Sequence, residues 1–195
     1  MKIISLNNLK SSSIELAKRV QEDSSFSPDC ILYVERAGRF IGKYMAEELK
    51  IPAVWAKAKR SGQESKSQAS SFLQKLPNFV CGILRWIEIH LNIHKVSKER
   101  SVEISPEISK YHNVVIVDDA LDTGNSIMQI IEALENIGFS REQLKVAVFN
   151  TSCERYLIQD ASPNYVLYRN TILRFPWSSD SEDHDLYWAL YEQEQ

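Results

Sequence analysis

The residue types with the clearest chemistry lie together in one short segment. The β-branched run Val-Val-Ile-Val at 114–117 is followed by two acids, Asp118 and Asp119, and then by Asp-Thr-Gly-Asn-Ser at 122–126. Unpaired backbone N–H groups and the dipole at a helix start favour a bound anion such as a phosphate group. Carboxylates accept hydrogen bonds from sugar hydroxyls or from water on a hard cation. The segment therefore fits a sugar phosphate, although an ordinary strand end and helix cap would use the same residue types.

These residues must be positioned by alternating strands and helices. Short apolar runs predict four strands, at 30–34, 53–57, 114–117 and 145–149. Apolar residues at helical spacing predict helices between them, at 39–50 and 127–137. A capping box of Ser12 and Glu15 predicts a further helix at 12–22. This alternation predicts an α/β fold with a mainly parallel central sheet and with ligands near the carboxyl ends of its strands.

Length and composition set limits on what the protein binds. With 195 residues and 44% hydrophobic residues, the chain fits one globular domain over 1–195. Its 23 Lys and Arg against 26 Asp and Glu give a net charge of −3 without a dense basic stripe, so no nucleic-acid partner is expected. The sequence start MKIISLNNLK does not resemble a secretory signal, and no apolar run reaches the length of a membrane span. We therefore expect a cytoplasmic protein without membrane contact.

The hydrophobic run, the acid pair and the Asp-Thr-Gly-x-Ser loop resemble the phosphoribosyl pyrophosphate (PRPP) motif of type I phosphoribosyltransferases. The resemblance implies the Rossmann-like fold of that family, with a core at about 28–150 and a small hood from the terminal segments that includes an acceptor segment at about 151–195. It also implies that Asp118 and Asp119 hold the ribose hydroxyls and serve as candidate ligands of a Mg²⁺ cofactor. The residues implied to bind the 5-phosphate are Asp122, Thr123, Gly124, Asn125 and Ser126.

A second motif supports the same family. The sequence Glu-Arg-Ala-Gly at 35–38 follows the first predicted core strand and is similar to the family's pyrophosphate loop. The resemblance implies that Arg36 and the amides of Ala37 and Gly38 take up the negative charge of the departing pyrophosphate. Related enzymes often have a strained backbone in this loop, and Ala37 in place of glycine would make such strain costlier.

The acceptor is indicated by two further features. Arg-Phe-Pro-Trp at 174–177 is similar to a segment of purine and xanthine-guanine enzymes in which an aromatic ring covers the base, which implies that Trp177 stacks on the base. In purine enzymes an acid at the position of Asp122 is the proton partner of the base. Those enzymes also have a Lys after the strand matching 145–149, where this chain has Asn-Thr-Ser-Cys-Glu-Arg at 150–155. A packed or interface aromatic is an equal alternative for Trp177.

The motifs together predict an enzyme. We expect a Mg²⁺-dependent phosphoribosyltransferase that moves the 5-phosphoribosyl group from PRPP to a nitrogenous base, with a purine favoured, and releases pyrophosphate. Arg36 and Asp122 are the predicted catalytic residues. The alternative is a non-catalytic regulatory protein of the same fold that binds PRPP, and Ala37 and the absent Lys favour this alternative.

The remaining segments carry weaker signals. The Ser-, Gln- and Lys-rich stretch at 59–76 fits either a linker or a loop that closes over a charged substrate. The helix predicted at 79–96 is apolar around its girth, which fits deep packing or a homodimer contact. His90 and His94 have metal-ligand spacing but lack accompanying acids. The acids at 180–185 are typical of a solvated helix start.

Overall fold

The computed structural model describes residues 2–58 and 102–194. Within these ranges eight strands and four α-helices follow one another along the chain. The strands are β1 (Lys2–Ile3), β2 (Cys30–Val34), β3 (Ala53–Ala58), β4 (Val102–Ile104), β5 (Val114–Leu121), β6 (Leu144–Thr151), β7 (Tyr165–Tyr168) and β8 (Leu173–Arg174). The helices are α1 (Leu6–Gln21), α2 (Gly38–Leu49), α3 (Asn125–Asn136) and α4 (His184–Gln193). Short 3₁₀ helices lie at Pro106–Lys110, Arg141–Gln143, Glu154–Tyr156 and Gln159–Ala161.

Six of the described strands form one sheet in the order β4-β3-β2-β5-β6-β7. Neighbouring strands run parallel except β4, which pairs antiparallel with β3 at the sheet edge. β1 and β8 form a separate two-stranded parallel sheet that joins the two ends of the chain. The predicted α/β fold with a mainly parallel sheet and a hood from the terminal segments is therefore confirmed.

The central strands do not end at the same level. β2 pairs with β5 as far as Tyr33 and Val117, whereas β5 pairs with β6 as far as Leu121 and Thr151. The predicted end of β5 at Val117 is therefore wrong, because pairing with β6 continues the strand through the polar residues. As a result both acids lie within the last part of β5, beyond the last residues that pair β5 with β2.

Apolar residues of β5 serve two core regions. Val115 and Val117 pack in the region that contains the buried residues of α1 and α2, whereas Val114 and Ile116 pack with those of α3. This division follows from the alternation of side chains along a strand. Because both sheet faces are covered, the first four residues of the strand, Val114–Val117, are all apolar, as expected for a parallel sheet.

Helix α1 starts earlier than predicted. The helix begins after Ser5, whose N–H donates to Asn8 Oδ1 at 2.8 Å. Ser12, the predicted cap, lies inside the helix and is only 9% exposed. The predicted start is wrong because an upstream Ser with Asn three residues later supplies an equivalent capping sequence. The other helices predicted within the described ranges are present to within a few residues.

Some predictions fall outside the described residues. These are the loop at 59–76, the apolar helix at 79–96 with its homodimer contact, and the pair His90 and His94. The single domain over 1–195 likewise stays a prediction. In the described part of the chain, no helix has the length and apolar character needed to cross a membrane.

Candidate active site

Both sequence motifs lie at the carboxyl edge of the parallel sheet. β2 leads into the first loop, residues 35–38, and then into α2. The adjacent strand β5 leads into the second loop, residues 122–126, and α3 begins within that loop. Segments about 80 residues apart in the sequence therefore leave neighbouring strands on one side of the sheet, where α/β proteins bind their ligands.

Gly38 allows the first loop to approach β5 closely. A Cβ atom at this position would lie 2.8 Å from the carbonyl oxygen of Val117 and 3.5 Å from the Cα of Asp118. Both atoms belong to the backbone, so a side chain could be accommodated only by moving α2 away from the sheet. The start of α2 is thus held directly against the strand that carries the acid pair.

Backbone strain in the first loop lies at Arg36. This residue has φ 75, in the left-handed region, whereas Ala37 is right-handed with φ −69 and ψ −38. The expectation that Ala37 would bear the strain is therefore wrong by one position. A non-glycine residue in this conformation costs roughly 1–2 kcal/mol. The Arg36 side chain is exposed at the sheet edge, where it can reach an anionic ligand.

A buried ion pair supports the first loop. The Glu35 and Arg39 side chains are only 7% and 10% exposed, and Arg39 Nη2 lies 2.9 Å from Glu35 Oε1. Tyr191 of α4 donates its hydroxyl to Glu35 Oε2 at 2.8 Å. Burial alone would raise the pKa of Glu35, but hydrogen bonds from Arg39, Tyr191 and the Arg36 amide outweigh it and hold the pKa below its usual value. Sequence reasoning missed this pair, although opposite charges four residues apart at a helix start are a signal for it.

The two acids of β5 are held by hydrogen bonds. Asp118 is 9% exposed, and its Oδ1 accepts the N–H of Asp119 at 2.9 Å. Asp119 Oδ1 accepts the N–H of Ala120 at 2.8 Å, and its Oδ2 accepts the indole N–H of Trp177 at 3.0 Å. These contacts fix the carboxylates at the sheet edge, between the two loops. Ionised carboxylates in this position can accept hydrogen bonds from a sugar diol or from metal-bound water.

Gly124 shapes the second loop. It has φ 82, and a Cβ there would lie 2.5 Å from the Cβ of Ala161. The Thr123 carbonyl accepts the N–H of Ile158 at 3.0 Å, so the loop is also tied to the segment after β6. α3 begins at Asn125, and the first amides of a helix have no acceptor within that helix. The loop thus has the geometry of an anion-binding helix start.

Ser152 is a site residue that sequence reasoning missed. It follows β6, and its hydroxyl donates to Asp122 Oδ1 at 2.5 Å. Its N–H also bonds to the carbonyl of Leu121 at 3.0 Å. Ser152 therefore orients the carboxylate that opens the second loop. A polar residue directly after a strand adjacent to β5 was the only sequence signal for this contact.

Trp177 lies beside the acid pair. Its ring stacks on Phe175, with centroids 4.7 Å apart and planes at 7°, and Tyr187 lies against it at 5.0 Å. The residue remains partly exposed. The indole is thus a packed aromatic that also donates to Asp119. The sequence motif alone could not show either contact.

The metal-binding capacity of the site is limited. In residues 2–58 and 102–194, no group of three or more His, Cys, Asp or Glu side chains is arranged to hold a metal ion. Mg²⁺ usually takes only one or two carboxylates and completes its octahedral shell with water and substrate phosphates. Asp118 and Asp119 fit that pattern, whereas a metal held by protein side chains alone would not fit.

A known protein family matches the part of the chain that contains both loops. The family model described as "Phosphoribosyl transferase domain" matches residues 5–178, which include both loops and Trp177. Compared with curated protein sequences, the chain has no significant match.

Similar solved structures share the fold over most of the chain. A purine phosphoribosyltransferase from Pyrococcus horikoshii Ot3 is 20% identical, with a TM-score of 0.57 and coverage of 90% of this chain and 92% of that one. A xanthine-guanine-hypoxanthine phosphoribosyltransferase from Helicobacter pylori is 13% identical, with a TM-score of 0.58 and coverage of 92% and 94%. A hypothetical protein from Neisseria gonorrhoeae with bound ppGpp is 15% identical, with a TM-score of 0.56 and coverage of 100% and 98%. At these identities the likeness concerns the fold.

Proposed function

Because the chain belongs to the phosphoribosyl transferase domain family, we propose that it transfers the 5-phosphoribosyl group of PRPP to a purine base and releases pyrophosphate. The family assignment confirms the resemblance seen in the sequence and makes the chain a PRPP-dependent pentosyltransferase. The purine acceptor and the roles of individual residues are the proposal.

The close approach of the first loop to the acid pair carries the proposal. The start of α2 at Gly38 lies against Val117 and Asp118, and β5 continues from the acids into the second loop at the same edge of the sheet. PRPP has a phosphate at one end of its ribose, a diol on the ring and a pyrophosphate at the anomeric carbon. The second loop would bind the 5-phosphate, Asp118 and Asp119 the diol, and the first loop the pyrophosphate.

Charge separation defines the catalytic task. The bond between the anomeric carbon and the pyrophosphate oxygen breaks, a base nitrogen bonds to that carbon, and positive charge develops on the ribose as negative charge develops on the leaving group. The Arg36 guanidinium and the amides of Ala37 and Gly38 stabilise the leaving pyrophosphate. The carboxylates of Asp118 and Asp119 orient the diol and stabilise the positive ribose.

Proton transfer from the base is assigned to Asp122. Its carboxylate accepts a hydrogen bond from the Ser152 hydroxyl at 2.5 Å, which orients it at the start of the second loop. A positioned carboxylate can hold or accept a proton from a purine ring nitrogen as the new bond forms. Ser152 acts through Asp122 and is a positioning residue.

Enzymes of this family generally use Mg²⁺ with PRPP. When bound, Mg²⁺ would neutralise part of the pyrophosphate charge as the leaving group departs. Asp118 and Asp119 are the residues proposed to hold it, directly or through water.

A purine acceptor is supported by Trp177. Its N–H bonds to Asp119, so an aromatic surface borders the position proposed for the ribose. Phe175 stacks on the ring and Tyr187 packs against it at a tilt, but the residue stays partly exposed, and this exposed part is the surface proposed to contact a flat base. The solved structures with similar folds include enzymes named for purine, xanthine, guanine and hypoxanthine substrates.

The test is release of pyrophosphate from PRPP and Mg²⁺ with a panel of purine and pyrimidine bases. We expect turnover with one or more purines and loss of PRPP affinity by at least about tenfold in the double variant Asp118→Asn, Asp119→Asn, because hydrogen bonds to charged groups are worth roughly 1.5–3 kcal/mol. Glu107→Gln, at an exposed acid that pairs with Lys110, is the matched control and should leave PRPP affinity unchanged.

The outcomes separate the alternatives. Turnover with pyrimidines alone would contradict the purine assignment. Tight PRPP binding without turnover on any base would select the regulatory alternative. Unchanged PRPP affinity in the double variant would contradict the site itself.

A further inference from the structure

The first loop has a conformation that its own residues do not favour. Arg36 is left-handed at φ 75, between the extended end of β2 and the right-handed Ala37. An arginine in an unsupported loop would relax to negative φ, which would turn the following peptide groups in another direction. Something outside the loop must therefore stabilise this conformation.

Helix α4 supplies that support through Tyr187. The Tyr187 hydroxyl donates to the carbonyl oxygen of Arg36 at 2.9 Å. The tyrosine is fully buried, and its ring packs edge-on against Phe40 and Trp188, each at a centroid distance of 5.3 Å. Burial, together with the nearby charge of Asp119, raises the pKa of Tyr187 above its usual value, so the hydroxyl keeps its proton and remains a donor.

A second contact from the same helix supports Arg36 indirectly, through Glu35. The Arg36 N–H donates to Glu35 Oε2 at 3.2 Å, and the same oxygen accepts the hydroxyl of Tyr191 at 2.8 Å. The Arg39 guanidinium pairs with Glu35 and lies over the Tyr191 ring, 4.2 Å from its centroid. Tyr187 and Tyr191 are one helical turn apart and both buried, so one face of α4 supports the strained residue directly through Tyr187 and indirectly, through Glu35, by Tyr191.

The aromatic rings around Tyr187 also connect to the acid pair. Trp177, which donates to Asp119, lies 5.0 Å from the Tyr187 ring. Tyr187 therefore packs between the residue that holds the diol-binding acid and the peptide that shapes the pyrophosphate loop. This arrangement joins the C-terminal segment to both parts of the site.

Resting on the function proposed above for the first loop, we propose that Tyr187 is a positioning residue whose hydroxyl holds the Arg36 peptide in the left-handed conformation that binds pyrophosphate. Tyr187 does not touch the substrate in this role. It acts through the Arg36 carbonyl, and Tyr191 assists through Glu35.

The experiment compares Tyr187→Phe with a matched control. Tyr165→Phe also removes the hydroxyl of a buried tyrosine, one that donates to Asp23, outside both loops, at 2.7 Å. Calorimetry with pyrophosphate and Mg²⁺, and then with PRPP and Mg²⁺, measures affinity. We expect Tyr187→Phe to weaken both affinities roughly three- to tenfold, the range for loss of one hydrogen bond, and Tyr165→Phe to leave both unchanged. Both variants should lose similar thermal stability.

A second background tests the mechanism. In Arg36→Gly the left-handed conformation carries no steric cost, so the loop needs no hydroxyl to maintain it. Tyr187→Phe should then have no further effect on the affinity for PRPP, which contacts the second loop as well. A hydroxyl that served packing alone would give the same loss in both backgrounds.

The results distinguish the inference from its premise. If the unaltered protein binds neither pyrophosphate nor PRPP, the proposed function and the inference both fail. Suppose that the unaltered protein binds them. The inference alone is then overturned if Tyr187→Phe binds them equally well. It is also overturned if Tyr187→Phe reduces PRPP affinity by the same factor with Arg36 and with Arg36→Gly. If Tyr187→Phe does not fold, Tyr191→Phe provides an independent variant, for which we expect a smaller loss of pyrophosphate and PRPP affinity. An unchanged affinity in Tyr191→Phe would then count against the inference.

Discussion

Arg36 in the first loop and Gly124 in the second have similar left-handed backbones, with φ 75 and φ 82, at turns from neighbouring parallel strands into helices. The second loop uses the one residue type for which this conformation carries no steric cost. The first loop uses an arginine, whose carbonyl accepts the Tyr187 hydroxyl and whose N–H donates to Glu35. The conformation of the second loop is therefore favoured by its own glycine, whereas that of the first loop depends on contacts with α4.

The comparison shows why a strained residue can persist at a binding site. Arg36 supplies a positive charge that glycine could not, and the structure stabilises the conformation from outside the loop. Gly124 supplies no side chain, but it permits contact with Ala161, where a Cβ atom would be only 2.5 Å away. In the proposed assignment, the second loop binds phosphate through backbone amides, whereas the first loop binds pyrophosphate through amides and the Arg36 cation.

The largest effect is expected from Gly124→Ala, which introduces a strained left-handed residue into the second loop. The left-handed conformation and the overlap with Ala161 should together lower the free energy of unfolding by roughly 2–4 kcal/mol, measured by urea denaturation. PRPP affinity should fall with it. Gly138→Ala is the control, because Gly138 has φ 107 but no atom within 4 Å of its Cβ position, at the other end of α3. A loss of PRPP affinity as large in Gly138→Ala would contradict the assignment of the loop.

The next effect comes from the reverse change, Arg36→Gly, which removes the strain from the first loop. The free energy of unfolding should rise by about 1 kcal/mol, while pyrophosphate affinity falls about tenfold or more because the guanidinium is lost. Lys50→Gly is matched, since Lys50 is left-handed at φ 57, exposed, and at the far end of α2. It should gain similar stability with unchanged pyrophosphate affinity in calorimetry. Unchanged affinity in Arg36→Gly as well would argue against a catalytic Arg36.

A smaller effect is expected from Trp177→Phe, which weakens the connection between the C-terminal segment and the acid pair. Asp119 loses the indole donor at 3.0 Å, while an aromatic ring still stacks on Phe175. PRPP affinity should fall roughly three- to tenfold, as measured by calorimetry. Trp55→Phe, in β3 and partly buried beneath Lys57, should show no change. Equal affinities in the two variants would mean that the indole N–H does not position Asp119.

The smallest effect concerns the stability of the fold at acid pH. It tests the buried ion pair of Glu35 and Arg39 that supports the first loop. The folded protein holds the pKa of Glu35 below its usual value of 4.5, so the unfolded chain binds its proton first as the pH falls. The stabilisation from Glu35 is therefore complete above about pH 4.5 and is lost as the pH falls through the lower pKa of the folded state. Urea denaturation should show a steeper loss in this window for the unaltered protein than for Glu35→Gln. Parallel pH profiles would show that the ion pair does not stabilise the fold.

Much of the site could be predicted because it follows local rules. The β-branched run of β5 and the Asp-Thr-Gly sequence identify a buried strand and a helix start from neighbouring residues alone. The same locality explains an error: the polarity of Asp118 indicated a strand end, while pairing with β6 carried the strand on to Leu121. Short strands such as β7 and β8 were missed, since so few residues show little periodicity.

The contacts that complete the site could not be predicted, because their partners are distant in the sequence. Ser152 and Asp122 are 30 residues apart, and Trp177 and Asp119 are 58 residues apart. Tyr187 and Arg36 are separated by 151 residues. No spacing rule relates such pairs, since only the packing of the sheet and of α4 determines which side chains meet.

The sequence by itself determined the α/β order of elements, the acid pair and the glycine of the second loop, because strand burial, charge and left-handed backbone are properties of short segments. Only the tertiary structure decided that Arg36, and not Ala37, is strained, and that α4 holds it there. The physical reason is that the stability of an unfavourable backbone conformation depends on hydrogen bonds from whichever residues the fold brings next to it.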